Sequence, residues 1–264
     1  MALNRVRFSS FLALSAAISL TAGCGGSSGS ASNGGDEKGK GPVVVATTTW
    51  EGAFAKAAGA EDVKVIVPQS VQHAPDYDPK PTDLATVAKA DYVLYAPFEP
   101  YAAKIKEAAG SKAELVETKL DNDPRNVKSE VTRLAGKFGT EDMARKWNKD
   151  FGAKYGKLSS QLKSSWKDGE RPTAVSQVFT VWSARMAGAK IAGTFGPEAV
   201  TAGQLSKLSK KKPGLVVDNE HMSTGTVLPD SDAKQVKVAN YPGEDLELWP
   251  VYRKAAAELR NAMS

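Results

Sequence analysis

Residues 63–99 read VKVIVPQSVQHAPDYDPKPTDLATVAKADYVLYAPFE, and this stretch decides the fold. The β-branched run from Val63 to Val67 stops at Pro68. A polar, proline-broken loop follows, holding His73, Asp76, Tyr77, Asp78 and Asp83. A helical segment from about Thr82 to Ala90 then leads into a second apolar run, Tyr92 to Tyr95. Strand, loop, helix and strand in that order make the crossover of a parallel sheet. Open α/β sheets bind ligands outside the carboxyl ends of their strands. The His73 loop follows one such end and Phe98-Glu99 the next, so both are expected to face one crevice.

The same alternation extends to either side. Val43 to Thr47 is a continuous apolar run suited to a buried parallel strand. A helical pattern from Trp50-Glu51 to Ala58 follows, broken by Gly59, with a threonine of Thr47-Thr48-Thr49 placed to cap it. Tyr101 to Ala109 reads as a helix ending at Gly110, and Ala113 to Thr118 as a fourth strand. Residues 43–126 thus form an N-terminal α/β lobe. After Asp121-Asn122-Asp123-Pro124 the β-rich runs cease, and apolar residues recur at three- and four-residue spacing through 127–167. This is a linking backbone helix with a break expected at Phe138-Gly139-Thr140, where Thr140 would cap the second part. Its aromatic stripe, Trp147, Phe151 and Tyr155, reads as core packing.

Residues 168–264 repeat the alternation. Strands are expected at Thr173–Val178, Lys190–Gly193, Leu215–Val217 and Val236–Ala239. Helices are expected at Val181–Ala187, Glu198–Lys211 and Leu246–Met263. The fold class is therefore α/β: two Rossmann-like lobes with small parallel sheets, joined by one long backbone helix.

The chain of 264 residues does not begin with fold. In residues 1–23, Arg5 and Arg7 precede an apolar core, Phe11 to Leu20, too short to span a membrane as a mature helix. The end, Leu20-Thr21-Ala22-Gly23-Cys24, resembles a bacterial lipobox. That resemblance implies cleavage before Cys24, its diacylation, and an extracytoplasmic protein anchored to the cell membrane by lipid. Cys24 is the sole cysteine, so an internal disulfide is excluded. Residues 24–42 are a Gly/Ser-rich tether with too little apolar surface to fold.

The formal net charge is +5 and the isoelectric point about 9.1. No basic stripe is interleaved with aromatics, which argues against nucleic acid as a partner. Lys210-Lys211-Lys212 reads as a solvated helix end. There is no Gly-x-Ser-x-Gly elbow, Walker loop or Rossmann glycine fingerprint, and the spacing of Ser, His and Asp indicates no triad, so the chain reads as no enzyme.

The two histidines, His73 and His221, each fall in a loop after an apolar strand, one in each lobe. Each is either an ordinary loop residue or a transition-metal ligand, since neutral imidazole suits such metals. Glu99, Glu220, Asp76, Asp78 and Asp218 could complete a site with oxygen donors. Asp76 and Asp78 also fit a plain turn, or support of His73 from behind.

Several segments resemble the metal-binding solute receptors of zinc and manganese ABC transporters. VVVATTTW (43–50) is similar to their opening strand, and Asp76-Tyr77-Asp78-Pro79-Lys80-Pro81-Thr82-Asp83 to their His-x-Tyr-Glu-Pro-x-Pro-Ser-Asp motif. Ala90 to Tyr95, Phe98-Glu99-Pro100, Asp123-Pro124-Arg125-Asn126, Lys190 to Gly193 and Leu215 to Val217 match further segments. The resemblance implies two lobes about a backbone helix, a monomeric receptor that delivers a metal ion, zinc ahead of manganese, to an ABC permease, and a site between the lobes. The ligand places depart from the family. Registered on Tyr77-Asp78-Pro79, the first holds Pro75, with His73 two residues earlier; the second falls near Lys119 to Asp121; the third falls at about Gln177. Glu220, with His221 beside it, matches a place where the family has an acidic residue. The expected metal set is His73, His221, Glu220 and Glu99. Two alternatives stand beside it: a pocket for a non-metal solute or metal complex, lined by Gln177, Trp182, Trp50 and Asp76, or a surface adhesion lipoprotein.

Overall fold

The structure is a computed structural model, and it describes residues 41–71, 74–166, 169–223 and 225–263. Cys24, the expected site of lipid attachment, and His73 lie outside the described residues. In the N-terminal lobe, β1 (Val43–Ala46), α1 (Thr49–Ala57), β2 (Asp62–Val65), α2 (Pro81–Val87), β3 (Tyr92–Tyr95), α3 (Ala102–Ala109) and β4 (Glu114–Glu117) follow in order. Two helices come next, α4 (Pro124–Phe138) and α5 (Glu141–Ser164). The C-terminal lobe holds β5 (Thr173–Gln177), α6 (Val181–Met186), β6 (Lys190–Phe195), α7 (Ala202–Ser209), β7 (Leu215–Asn219), β8 (Lys234–Val238) and α8 (Trp249–Met263).

Both sheets are parallel and share one topology. Their strand orders are β2-β1-β3-β4 and β6-β5-β7-β8. Val44 sits between Val63 and Tyr92 in the first sheet, and Val216 between Val175 and Gln235 in the second. Helices cover the faces, so the central strands bury both sides: Val44, Val45, Val175 and Val217 are wholly inaccessible.

Local chemistry sets the element ends. Thr48 and Glu51 form a reciprocal capping box at the start of α1. Asp123 accepts the Arg125 N–H (3.0 Å) ahead of Pro124, the first residue of α4. Gly139 takes the left-handed conformation, φ 70°, that separates α4 from α5. Most boundaries shift by one to three residues, and at three helix starts the departure has a specific physical cause. Thr140 does not cap α5 with its side chain; its hydroxyl donates instead to the Ala58 carbonyl (2.6 Å), tying the helix break to the end of α1. The helix expected from Glu198 begins only at Ala202, where Thr201 and Gln204 make a second capping box. The helix expected from Leu246 begins at Trp249, because Leu246 has φ 55°, outside helical space.

The linking segment is two helices, of which α5, with 24 residues, is about 36 Å long at 1.5 Å per residue. One apolar core runs from the first lobe through both helices into the second, including Phe54, Leu94, Phe138, Phe151, Leu162, Trp182, Leu248 and Tyr252. The stripe of α5 packs as core: Phe151 stacks on Trp147 and meets Tyr252 edge-on. Buried hydrogen bonds cross the same seam. The Tyr252 hydroxyl donates to the Asn122 carbonyl (2.8 Å) and Asn122 Nδ2 to the Asn240 carbonyl (3.0 Å), while within the second lobe Trp182 Nε1 donates to Asn240 Oδ1 (2.9 Å). On the α1 side, Thr49 Oγ1 donates to the Pro242 carbonyl (2.9 Å) and Lys56 Nζ to the Asp245 carbonyl (2.7 Å). The lobes are thus held by a common core and by side chain-to-backbone bonds, not by a bare hinge.

Candidate ligand cleft

The residues after the strands converge on one cavity of about 250 Å³ between the lobes. Trp50 follows β1, Pro75 follows β2, Phe98 follows β3 and Leu120 follows β4; all four line it. From the other lobe come Phe179 after β5, Pro197 after β6, Asn219, His221 and Met222 at and after the end of β7, and Asn240 and Tyr241 after β8. Every strand of both sheets therefore contributes a wall. This is where parallel α/β sheets hold ligands, because the chain leaves each strand there and can vary without disturbing the sheet. Tyr241 organises the wall: it meets Trp50 edge-on at 5.4 Å between ring centroids and His221 edge-on at 5.0 Å.

A smaller cavity of about 110 Å³ adjoins it and shares Ala74, His221 and Tyr241. Its lining is more polar, with Thr48, Thr49, Gln69, Glu220 and Lys254. His221 stands in a short 3-10 turn, Glu220–Met222, and its backbone N–H is held by Asn219 Oδ1 (3.0 Å).

The expected metal set is only partly brought together. Glu220 and His221 share the smaller cavity, and His73 lies outside the described residues. Glu99 lines neither cavity. It is buried in the first lobe, where it takes hydrogen bonds from Thr47 Oγ1 (3.0 Å), Tyr101 Oη (3.1 Å) and the Ala96 N–H (3.0 Å). Its carboxylate fastens the turn after β3 to the end of β1. Among the described residues no group of three or more His, Cys, Asp or Glu side chains stands close enough to hold a metal ion.

The other expected lining residues divide. Trp50 lines the larger cavity. Gln177 is buried beside it, its Oε1 accepting the Phe179 N–H (2.6 Å) and its Nε2 3.8 Å from Met222 Sδ. Trp182 packs in the core, edge-on to Tyr252, and lines an adjoining pocket with Asp123 and Arg185 that shares Trp50, Leu120 and Phe179 with the larger cavity. Asp76 is exposed and lines neither cleft cavity. Its neighbours stitch the loop: Asp83 accepts from Tyr77 Oη (2.7 Å) and the Lys80 N–H (2.8 Å), and Asp78 pairs with Lys104 (2.6 Å). Sequence reading placed the Phe98-Glu99 loop at the crevice but took Glu99 as its contributing side chain, and it missed Leu120, Phe179, Met222, Asn240 and Tyr241. Their common signal is position, directly after a strand's carboxyl end.

Beneath the cleft floor lies a buried acid pair. Glu51, wholly inaccessible, has its carboxyl pushed up to about 8, first by burial and then by the charge of Glu99. Glu99 is raised as well, chiefly by burial. Tyr101 and Tyr241 are pushed upward by burial and by both carboxylates.

No family model matches the chain, and no curated protein matches it either. Solved structures do. The laminin-binding protein Lbp of Streptococcus pyogenes superposes with a TM-score of 0.61 at 18% identity, over 86% of this chain and 100% of that one. The solute-binding protein FpvC of Pseudomonas aeruginosa, in complex with Ni2+, gives 0.66 at 14% identity, over 85% and 97%. A Zn(II)-bound AdcAII variant of Streptococcus pneumoniae gives 0.59 at 17% identity, over 85% and 100%. The chain shares the fold of these three proteins. Pro75 and Leu120, which stand at or beside two of the ligand places expected from the resemblance, both line the larger cavity, and their side chains carry no donor atom. The third place, Gln177, carries an amide engaged with Phe179.

Proposed function

We propose that the chain is a solute-binding protein of an ABC importer, held outside the cell by lipid on Cys24, that carries its ligand in the cleft between the lobes to a permease. The observation that carries this reading is the convergence of all eight strand ends on one cavity. A site built equally from two halves suits capture and release, because a small change in lobe separation alters every wall at once. The lipobox at Leu20 to Cys24 and the tether of 24–42 support the anchor; two acyl chains give stable attachment where one does not. No described helix is long and apolar enough to cross a membrane.

For a metal ligand, zinc is the first candidate. His221 and Glu220 line one small cavity, His73 lies in sequence between Val71 and Ala74, which also line it, and neighbours of the same fold are described with zinc, nickel and manganese. Zinc accepts two imidazoles, a carboxylate and a water, whereas manganese favours more oxygen. The test is zinc titration of metal-free protein followed by thermal melting at neutral and acidic pH. Zinc binding raises the melting temperature by mass action. The rise shrinks as pH falls through the usual histidine range near ~6.5, since the ligands must be neutral. An unchanged melting temperature, or an equal rise in His221→Ala, refutes the metal site. A second reading, a non-metal solute, is favoured by the carbon-rich walls of the larger cavity.

A further inference from the structure

We infer that the larger cavity takes a flat, mainly apolar organic ring system bearing a hydrogen-bond acceptor. This rests on the receptor reading and names the ligand class for that cleft. Three observations converge. The first is size and lining. An apolar cavity of about 150 Å³ suffices for benzene; this one, at about 250 Å³, has room for a fused or substituted ring. Trp50, Phe98, Phe179 and Tyr241 give it aromatic walls, and Leu120, Pro75, Pro197 and Met222 fill the gaps between them. Flat π-faces and edges set at steep angles, as Trp50 and Tyr241 are at 67°, accept a ring stacked on one and edge-on to the other.

The second observation is an unanswered donor. Trp50 is only 4% exposed, and its indole N–H, which can only donate, has no acceptor among the described residues. A buried donor without a partner is unusual; its nitrogen has almost no accessible surface, so a small turn of the indole toward the cavity is what would let an acceptor atom on the ligand complete it. The third observation is what the walls lack. A bare cation demands several oxygen, nitrogen or sulfur donors to replace its water, and carbon surfaces at Pro75 and Leu120 supply none. Among the described residues the polar side chains there are Asn219, His221, Asn240, the Tyr241 hydroxyl and the Trp50 indole, and Asn240 Oδ1 already accepts from Trp182.

Quinoline and naphthalene separate these terms, because they share a fused-ring shape and differ by one acceptor nitrogen. Both are titrated by calorimetry into purified full-length protein, with thermal melting in parallel. Quinoline is expected to bind saturably and raise the melting temperature, and naphthalene to bind about tenfold more weakly, as one buried hydrogen bond requires. Trp50→Phe should remove quinoline's advantage. Phe98→Ala should weaken both rings alike, and since Phe98 is 62% exposed this variant keeps its fold. No saturable quinoline binding, or an undiminished preference for quinoline in Trp50→Phe, overturns the inference. A zinc arm keeps the two readings apart. A rise in melting temperature with zinc that is lost in His221→Ala, with no response to either ring, overturns the organic ligand and leaves the receptor standing. No response to zinc or to either ring overturns both.

Discussion

Replacing Glu51 by glutamine is expected to stabilise the protein, increasingly so as pH rises. Glu51 is buried completely, one of its oxygens receives the Thr48 N–H (3.1 Å) and contacts the Thr48 hydroxyl, and its other oxygen, Oε1, has no hydrogen-bond partner among the described residues. The groups around it are Glu99, which repels a second negative charge, and the hydroxyls of Tyr101 and Tyr241, themselves pushed upward. The carboxyl titrates at about 8 in the fold against 4.5 in an exposed chain. Because the folded value is the higher, the stability it confers is complete below about 4.5 and is lost as pH rises toward about 8. At about 1.4 kcal/mol per unit, the interval from 4.5 to neutrality removes on the order of 3 kcal/mol. For a domain of this size that is roughly 6–12 °C in melting temperature. Glutamine keeps the acceptor for the Thr48 N–H and carries no proton to lose. Thermal melts of the wild type and Glu51→Gln from pH 4.5 to 8 check this. The wild type should fall steadily, and the variant should match it in acid and exceed it by a growing margin as pH rises above about 4.5. A wild-type profile flat over that range, or the same slope in both proteins, would refute the assignment of the buried proton to this pair.

Tyr252→Phe leaves the Asn122 carbonyl without its donor at the seam between the lobes and is expected to cost about 1–3 kcal/mol, read by chemical denaturation. Loss of less than the error of the fit would show that water replaces the hydroxyl there. Lobe closure is expected to be small. Small-angle scattering with and without a bound ligand should superpose, since α5, the continuous core and the bonds of Asn122, Thr49 and Lys56 would all have to break for a clamshell rotation.

The layers of the fold were legible to different depths. Strand positions were read closely: Tyr92–Tyr95 stands as expected, and the others shift by a few residues, because continuous β-branched runs bounded by Pro68, Gly59 or Asp121 leave few alternatives. The break at Gly139 was legible for the same reason, a glycine beside a capping sequence in an otherwise periodic helix. Helix starts were less so. Thr140 has the chemistry of a cap and lies next to Glu141, yet its hydroxyl goes to Ala58, 82 residues away in sequence. Local pattern cannot show a competing partner at that distance. The network of Asn122, Asn240, Trp182 and Tyr252 was illegible throughout, since its members are 58 to 130 residues apart.

The cleft shows why place and chemistry of a site are read with unequal ease. Its place follows from topology: once eight parallel strands are found, the loops after them must meet at two facing sheet ends. Its chemistry depends on which side chain each loop turns inward, and that is set by contacts between lobes. Glu99 illustrates the point. In sequence it is a carboxylate directly after β3, the right type in the right loop for a metal. In the fold the Ala96 N–H, Thr47 and Tyr101 claim its oxygens, and Phe98, the residue before it, faces the cavity instead. One step along the loop exchanges an oxygen donor for an aromatic face. The same exchange at Pro75 and Leu120 leaves His221, at the boundary of the two cavities, as the group on which both ligand readings turn. A metal would draw it toward Glu220, whereas a ring in the larger cavity would pack against it beside Tyr241.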